Sequence, residues 1–146
     1  MRYLKRMRYV CEAPGGATWF RIETEHEAEA EAALMRHAVD KYFKRFAEAA
    51  RESYAPPTNA ARFEQAIGLK DHIANTMPLF LTLRADDGAG LATAMLPPQG
   101  RNQAGFRIII VGPDNSDPYL AHAKAIEALG QHIGYGLPRN ECYPYA

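Results

Sequence analysis

The chain has 146 residues, of which 23% are charged and 47% are hydrophobic. This balance is typical of one globular domain, which buries roughly 70% of its unfolded surface and needs no disulfide or metal to stay folded. Seventeen basic residues match seventeen acidic ones, which excludes an overall positive field that attracts nucleic acid. No apolar run approaches the roughly 20 residues of a membrane span, and two cysteines are too few for a disulfide framework. We expect a single cytoplasmic domain over residues 1–146.

The chain begins with a pattern that is typical of a β-hairpin. Residues 2–11 are rich in aromatic and long side chains, and residues 18–22 have high strand propensity. Between these segments, Pro14 and the two glycines that follow it favour a turn. We therefore predict two antiparallel strands at the start of the domain.

The most regular pattern in the sequence predicts one long helix from Thr24 to about Ser53. Thr24 and Glu27 form a capping box, and apolar or small residues then recur every three or four positions. This stripe consists of Ala28, Ala32, Met35, Val39, Tyr42, Phe46 and Ala49. A helix of this length measures roughly 40 Å, which is longer than such a domain is wide. Its end would project from the domain or pack against a second subunit.

The rest of the chain predicts one helix, three strands and a last helix. Pro56 and Pro57 end the long helix, and the last helix begins after Asp117 and ends at Gly134. The other predicted elements are a helix at 60–75 and strands at 79–83, 91–96 and 106–111. The order β-β-α-α-β-β-β-α favours an α+β two-layer domain with a mostly antiparallel sheet, covered by a long first helix and two shorter helices. We expect Phe106, Ile108 and Ile110 or their neighbours to face the long helix.

The sequence contains no motif of a known catalytic type. Ser53 and Ser116 are its two serines, and neither lies in a Gly-x-Ser-x-Gly motif. No two histidines are three or four residues apart, and no Cys-x-x-Cys, phosphate loop or complete dinucleotide fingerprint occurs. We predict no metal and no cofactor, and we favour a protein that is not an enzyme.

Two patterns nevertheless favour a ligand, and the first is the N-terminal strand. Its basic residues alternate with tyrosines, and this arrangement offers charge for a phosphate and a ring face for a base. The residues concerned are Arg2, Tyr3, Lys5, Arg6, Arg8 and Tyr9. An edge strand that is protected from aggregation by its charges is the simpler interpretation, and we favour it.

The second pattern is the loop from Gln99 to Gly105, in which one guanidinium and two amides lie between glycines. An arginine there would bind a phosphate or carboxylate through two hydrogen bonds, and an amide would contact a polar edge of the same ligand. The predicted ligand-binding residues are Arg101, Asn102, Gln103, Arg107, Trp19 and Arg21. Trp19 and Arg21 belong to the second strand and would face the same ligand. A solvated hairpin loop is the alternative interpretation.

The C-terminal tail, residues 134–146, carries three tyrosines and no helical period. It is too aromatic for a disordered end, so we expect it to pack on its own domain or on a neighbouring subunit. Together with the long first helix, the tail favours a homo-oligomer.

These patterns predict a small, non-catalytic, oligomeric binding protein that captures an anionic ligand such as a nucleotide. Arginine outnumbers lysine and alanine is abundant, a composition typical of a bacterial or phage genome. One alternative is a protein-interaction module, such as a phage-type inhibitor of a host complex. A less favoured alternative is an enzyme that acts on nucleotides or phosphoesters, with His122 or His132 as acid–base and Arg101 as the anion clamp. Extended nucleic acid and membranes are not expected as partners.

Overall fold

A computed structural model describes residues 7–59 and 61–146. The strands are β1 (Arg8–Glu12), β2 (Thr18–Ile22), β3 (Leu79–Arg84), β4 (Gly90–Leu96) and β5 (Ile109–Val111). The helices are α1 (Glu25–Met35), α2 (Val39–Glu52), α3 (Arg62–Thr76) and α4 (Tyr119–Ile133). The predicted basic strip from Arg2 to Arg6 lies outside the described residues, as does Ala60 at the predicted start of the second helix.

The five strands form one antiparallel sheet in the order β1-β2-β3-β4-β5, so each strand pairs with the next one along the chain. The predicted α+β class and the mostly antiparallel sheet are confirmed. β5 is shorter than the predicted strand at 106–111. Met95 pairs with Ile109, so residues 106 and 107 would lie opposite Pro97 and Pro98, which have no N–H to donate to a partner strand.

The predicted long helix is wrong, because the chain forms two helices in its place. α1 ends where Arg36 adopts a left-handed conformation, with φ 56° and ψ 54°. Arg36 is held there by Asp114, whose carboxylate accepts a hydrogen bond from Arg36 Nε at 2.7 Å. Lys44 of α2 then lies 3.3 Å from Glu25 and 3.6 Å from Glu29. These ion pairs place α2 beside α1, so the helix does not project from the domain.

The first face of the sheet packs against α4. Trp19, Leu83 and Ile110 are fully buried there with Ile126 and Leu129 of the helix. The indole N–H of Trp19 donates to the carbonyl of Ala125 at 2.9 Å. This buried hydrogen bond fixes the position of α4 relative to β2.

The second face of the sheet packs against α1 and α2. Ile22, Phe80 and Met95 of the sheet are buried with Ala28 and Phe43 of these helices. The rings of Phe43 and Phe80 lie 5.2 Å apart between centroids. Helices therefore lie on both faces of the sheet.

The residues around β5 divide between the two faces. Ile108 and Ile110 pack on the α4 side, which corrects the expectation that they face the first helix. Their neighbour Ile109 packs on the α1–α2 side, and Phe106 stacks on Phe46 of α2 at a centroid distance of 5.7 Å.

The tail packs on its own domain, along the outer edge of β5. Tyr143 N–H donates to the carbonyl of Ile108 at 2.8 Å, and Ile110 N–H donates to the carbonyl of Tyr143 at 3.2 Å. These bonds occupy backbone groups that an edge strand otherwise leaves unpaired. Among the described residues, no helix is long and apolar enough to cross a membrane.

Two leucines on α4 provide a matched test of this packing. Leu129 is 0% exposed and Leu120 is 97% exposed. We expect Leu129→Ala to lower the free energy of unfolding by about 3 kcal/mol, because it leaves a cavity under the helix. The control Leu120→Ala should change it by less than about 0.5 kcal/mol. Urea unfolding measures both values, and equal effects would contradict the packing of α4 on the sheet.

Candidate functional site

Three of the predicted ligand-binding residues line one open cleft of about 660 Å³. Arg101, Asn102 and Arg107 come from the loop before β5, and Glu141 and Tyr143 come from the tail that lies beside it. We call this site the arginine cleft. It exists because the tail pairs with β5 and so faces the loop that leads into that strand.

Hydrogen bonding within the loop explains which side chains reach the cleft. Gly100 and Gly105 have φ values of 117° and 87°, a region that favours glycine. The side-chain oxygen of Gln103 accepts a hydrogen bond from the N–H of Gln99 at 2.9 Å. Gln103 therefore closes the loop on itself, while Arg101 and Asn102 extend from it.

The charges in the arginine cleft are partly paired. Arg101 lies 2.6 Å from the carboxylate of Glu141, and its side chain is 30% exposed. The guanidinium of Arg107 lies over the ring of Tyr143, 5.2 Å from the centroid, which is a cation–π contact. A ligand anion would therefore compete with Glu141 for Arg101. The contact described here for Arg107 is with the ring of Tyr143 and not with a carboxylate.

The structure separates the other two predicted residues from this cleft and so corrects the expectation that they share it. Trp19 is fully buried, so its ring has no face that a ligand can reach. Arg21 lies on β2, three strands from β5. At about 4.8 Å per strand, this distance is roughly 14 Å.

The two histidines of the enzyme alternative lie outside the lining of the arginine cleft. His122 borders a separate cleft beside Leu91 and Pro14. Neither His122 nor His132 is among the residues that line the arginine cleft. Neither histidine is therefore placed by these contacts to act as an acid or a base on a ligand in the arginine cleft.

Sequence reasoning missed a second cavity of about 320 Å³, between the start of α2 and strands β4 and β5. Val39, Phe80 and Met95 form apolar walls, and His37 and Thr93 provide polar groups. We call it the histidine cavity. Its volume lies near the lower limit of ligand pockets, and a mostly apolar lining with a few polar groups is typical of such pockets.

A buried chain of hydrogen bonds ends at this cavity. Glu31 is 0% exposed and Arg84 is 3% exposed, and their side chains form an ion pair at 2.6 Å. Arg84 also donates to the hydroxyl of Thr82 at 3.0 Å. The second carboxylate oxygen of Glu31 accepts the hydroxyl proton of Thr93, and His37 Nε2 lies 2.8 Å from the same hydroxyl oxygen. The chain therefore connects the buried ion pair to an imidazole on the cavity wall.

These bonds determine where His37 carries its proton. Thr93 has one hydroxyl proton, which Glu31 accepts, so the oxygen of Thr93 accepts a hydrogen bond from His37 Nε2–H. Nδ1 is then an acceptor, and the N–H of Val39 reaches it at 3.4 Å, which is long for a hydrogen bond. Burial is the largest influence on His37 and lowers its pKa, although the charges of Glu31 and Asp40 act in the opposite direction. The lowered pKa favours the neutral form of His37 at pH 7.

One sequence signal pointed to this network. Glu31 falls within the apolar stripe of α1, between Ala28 and Ala32, where a solvated glutamate does not belong. The position of His37 had no such signal, because the stripe continues from Met35 to Val39 across the helix break. Among the described residues, no group of three or more histidine, cysteine, aspartate and glutamate side chains is placed to hold a metal ion.

His37 should make the protein less stable below neutral pH. Its pKa in the folded state is lower than the value of about 6.5 expected in the unfolded chain. As the pH falls through that value, the unfolded chain takes up a proton that folded His37 does not, so the free energy of unfolding decreases by up to about 1.4 kcal/mol per pH unit. His37→Gln should make this decrease smaller. Urea unfolding of wild type and variant between pH 7 and 5 measures the difference, and identical pH profiles would contradict a half-buried, neutral His37.

Comparison with known proteins contributes no assignment to either site. No protein-family model, no curated protein and no solved structure matches this chain.

Proposed function

We propose that this protein is a small, non-catalytic binding protein that captures an anionic ligand, such as a nucleotide, in the arginine cleft. One observation carries the proposal. Arg101, Asn102 and Arg107, which the sequence pattern predicts as ligand-binding residues, line one cleft together with Tyr143. The volume of about 660 Å³ lies within the usual range of ligand pockets.

Each residue has a distinct role in this proposal. Arg101 binds a phosphate through two parallel hydrogen bonds, which a guanidinium favours by its planar shape. Arg107 supplies a second positive charge to the same cleft. The ring of Tyr143, which is 47% exposed, stacks on the base, and the amide of Asn102 contacts its polar edge.

The ion pair between Arg101 and Glu141 supports a preference among anions. A ligand that binds Arg101 must replace the carboxylate of Glu141, so singly charged anions compete poorly. A nucleotide phosphate with two or more charges binds both arginines, and these contacts offset the loss of the ion pair between Arg101 and Glu141. Glu141 therefore acts against weak anions, which is a common way to gain specificity.

The neutral chain also favours a compact ligand over a long nucleic acid. Attraction must come from the local charges of the cleft, since the net charge is zero. A nucleotide held by two arginines would show a shallow salt dependence, whereas an extended strand would show a steep one. Cys11 and Cys142 are free thiols, which fits a reducing compartment, and we place the protein in the cytoplasm.

Calorimetric titration with a panel of nucleotides tests this proposal. We expect Arg101→Ala to weaken binding at least about tenfold, because it removes charged hydrogen bonds to phosphate. Glu141→Gln should strengthen binding, because it frees Arg101 from its carboxylate partner. Arg8→Ala is the matched control, since Arg8 also forms an exposed ion pair, with Glu23 at 3.3 Å, but belongs to β1.

The outcomes separate the functional classes. Nucleotide recovered unchanged after incubation supports a binding protein, and turnover supports the enzyme alternative. The proposal fails if no nucleotide raises the melting temperature, or if Arg101→Ala and Arg8→Ala have equal effects.

A second candidate function, protein interaction through a second copy of this chain, has one specific observation in its favour. No residue of α3 is buried, and Phe63 and Ile67 on it are 75% and 47% exposed. The helix carries charges of both signs on either side of Ile67, Arg62 with Glu64 before it and Lys70 with Asp71 after it. Two antiparallel copies of α3 would therefore cover the apolar side chains and bring opposite charges together. The helix break and the packed tail remove the two sequence-based reasons for an oligomer.

Light scattering coupled to size-exclusion chromatography tests this second candidate. We expect a dimer for the wild type and a dissociation constant at least about tenfold weaker for Phe63→Ser, as is usual for an aromatic residue at the centre of an interface. Leu120→Ser is the control, because Leu120 is 97% exposed on α4 and should leave the dimer intact. A monomeric wild type at high micromolar concentration would exclude the dimer.

A further inference from the structure

We propose that the histidine cavity is a second binding site, which takes a small, uncharged aromatic molecule that carries a hydroxyl or N–H donor. This site shares Tyr143 with the arginine cleft, and it does not depend on the function proposed for that cleft. The inference rests on the shape of the cavity, on its lining and on the hydrogen bonds that end at its wall.

The size and lining of the cavity indicate a small, apolar occupant. A volume of about 320 Å³ lies near the lower end of the range for ligand pockets and has room for a fused two-ring aromatic. Phe80, Met95 and Ile109 supply apolar walls. None of the described residues that line it is aspartate, glutamate, lysine or arginine, so a charged ligand would lose its hydration without gaining a partner.

The hydrogen bonds indicate which polar group the occupant carries. Thr93 gives its proton to Glu31 and His37 gives its Nε2 proton to Thr93, so neither side chain has a proton left to donate. The oxygen of Thr93 retains a second lone pair, and the one lone pair of His37 Nδ1 is engaged only weakly, by Val39 N–H at 3.4 Å, so that a ligand donor can compete for it. A ligand group that contacts Thr93 and His37 therefore donates a hydrogen bond.

The buried ion pair fixes the orientation of the two acceptors on the cavity wall, Thr93 and His37. Arg84 holds one oxygen of Glu31 at 2.6 Å, which leaves the other oxygen to accept the proton of Thr93. This arrangement in turn sets the tautomer of His37. The acceptors on the cavity wall are thus positioned before a ligand arrives, and such preorganisation lowers the cost of binding.

Three naphthalene probes test the inference by calorimetry, with NMR of the Met95 and Ile109 methyl groups to locate binding. We expect 2-naphthol to bind one per chain and to shift both methyl signals. 2-Methylnaphthalene, which has the same size and no donor, should bind at least about tenfold more weakly. 2-Naphthoate, which is anionic, should not shift the two methyl signals.

Matched variants assign the effect to the cavity. His37→Leu should weaken 2-naphthol binding about tenfold, because it removes the acceptor. His72→Leu is the control, since His72 is half-buried and bonded to the hydroxyl of Ser53 at 2.7 Å but is not among the lining residues. Val111→Phe should abolish binding, because the larger side chain fills the rim of the cavity. This variant replaces no residue of the hydrogen-bond chain, so it still tests the site if His37→Leu fails to fold. Arg101→Ala should have no effect, which separates this site from the arginine cleft.

Three results would each overturn the inference. The first is that none of the probes saturates at millimolar concentration. The second is equal affinity for 2-naphthol and 2-methylnaphthalene, which would remove the role of the acceptors. The third is unchanged binding in Val111→Phe, which would place the probe elsewhere on the protein.

Discussion

Glu31 extends from α1 into the sheet, where Arg84 of β3 and Thr93 of β4 bind its two carboxylate oxygens. A carboxylate without exposed surface needs these partners, because removing one member of a buried ion pair costs about 3–5 kcal/mol. Such a pair fixes position more than it adds stability. It holds α1 at one register across two strands.

The helix break follows Glu31 closely in the chain, at Arg36, which is bound by Asp114. With α1 fixed by Glu31, the chain turns back at Arg36, and Lys44 of α2 reaches Glu25 and Glu29 near the start of α1. The turn brings His37 to Thr93, which creates the wall of the histidine cavity. The cavity therefore forms because α1 and α2 cross the sheet on either side of the helix break. Its polar wall, His37 and Thr93, is hydrogen-bonded to Glu31 of the buried ion pair.

The arginine cleft has a different origin, at the edge of the sheet. Pro97 and Pro98 end β4, so the chain forms a loop before the short β5, and the tail then takes the open edge through the backbone of Tyr143. This arrangement places Glu141 beside Arg101. The two sites therefore differ in character: one is preorganised and uncharged, while the other is open and contains a competing carboxylate. Tyr143 borders both of them.

Local chemistry in the sequence by itself determined most of the elements. The capping box at Thr24, the turn glycines, the prolines and the alternation of strand residues act within a few positions, so they predicted the α+β class, the antiparallel sheet and the loop that carries Arg101 and Asn102. Only the tertiary structure decided the helix break, the burial of Trp19 and the pairing of Arg101 with Glu141. The apolar period runs unbroken through Arg36, and the partners that bend the chain there or surround the indole lie up to 106 residues away. Such contacts depend on how elements pack, and spacing along one segment does not contain that information.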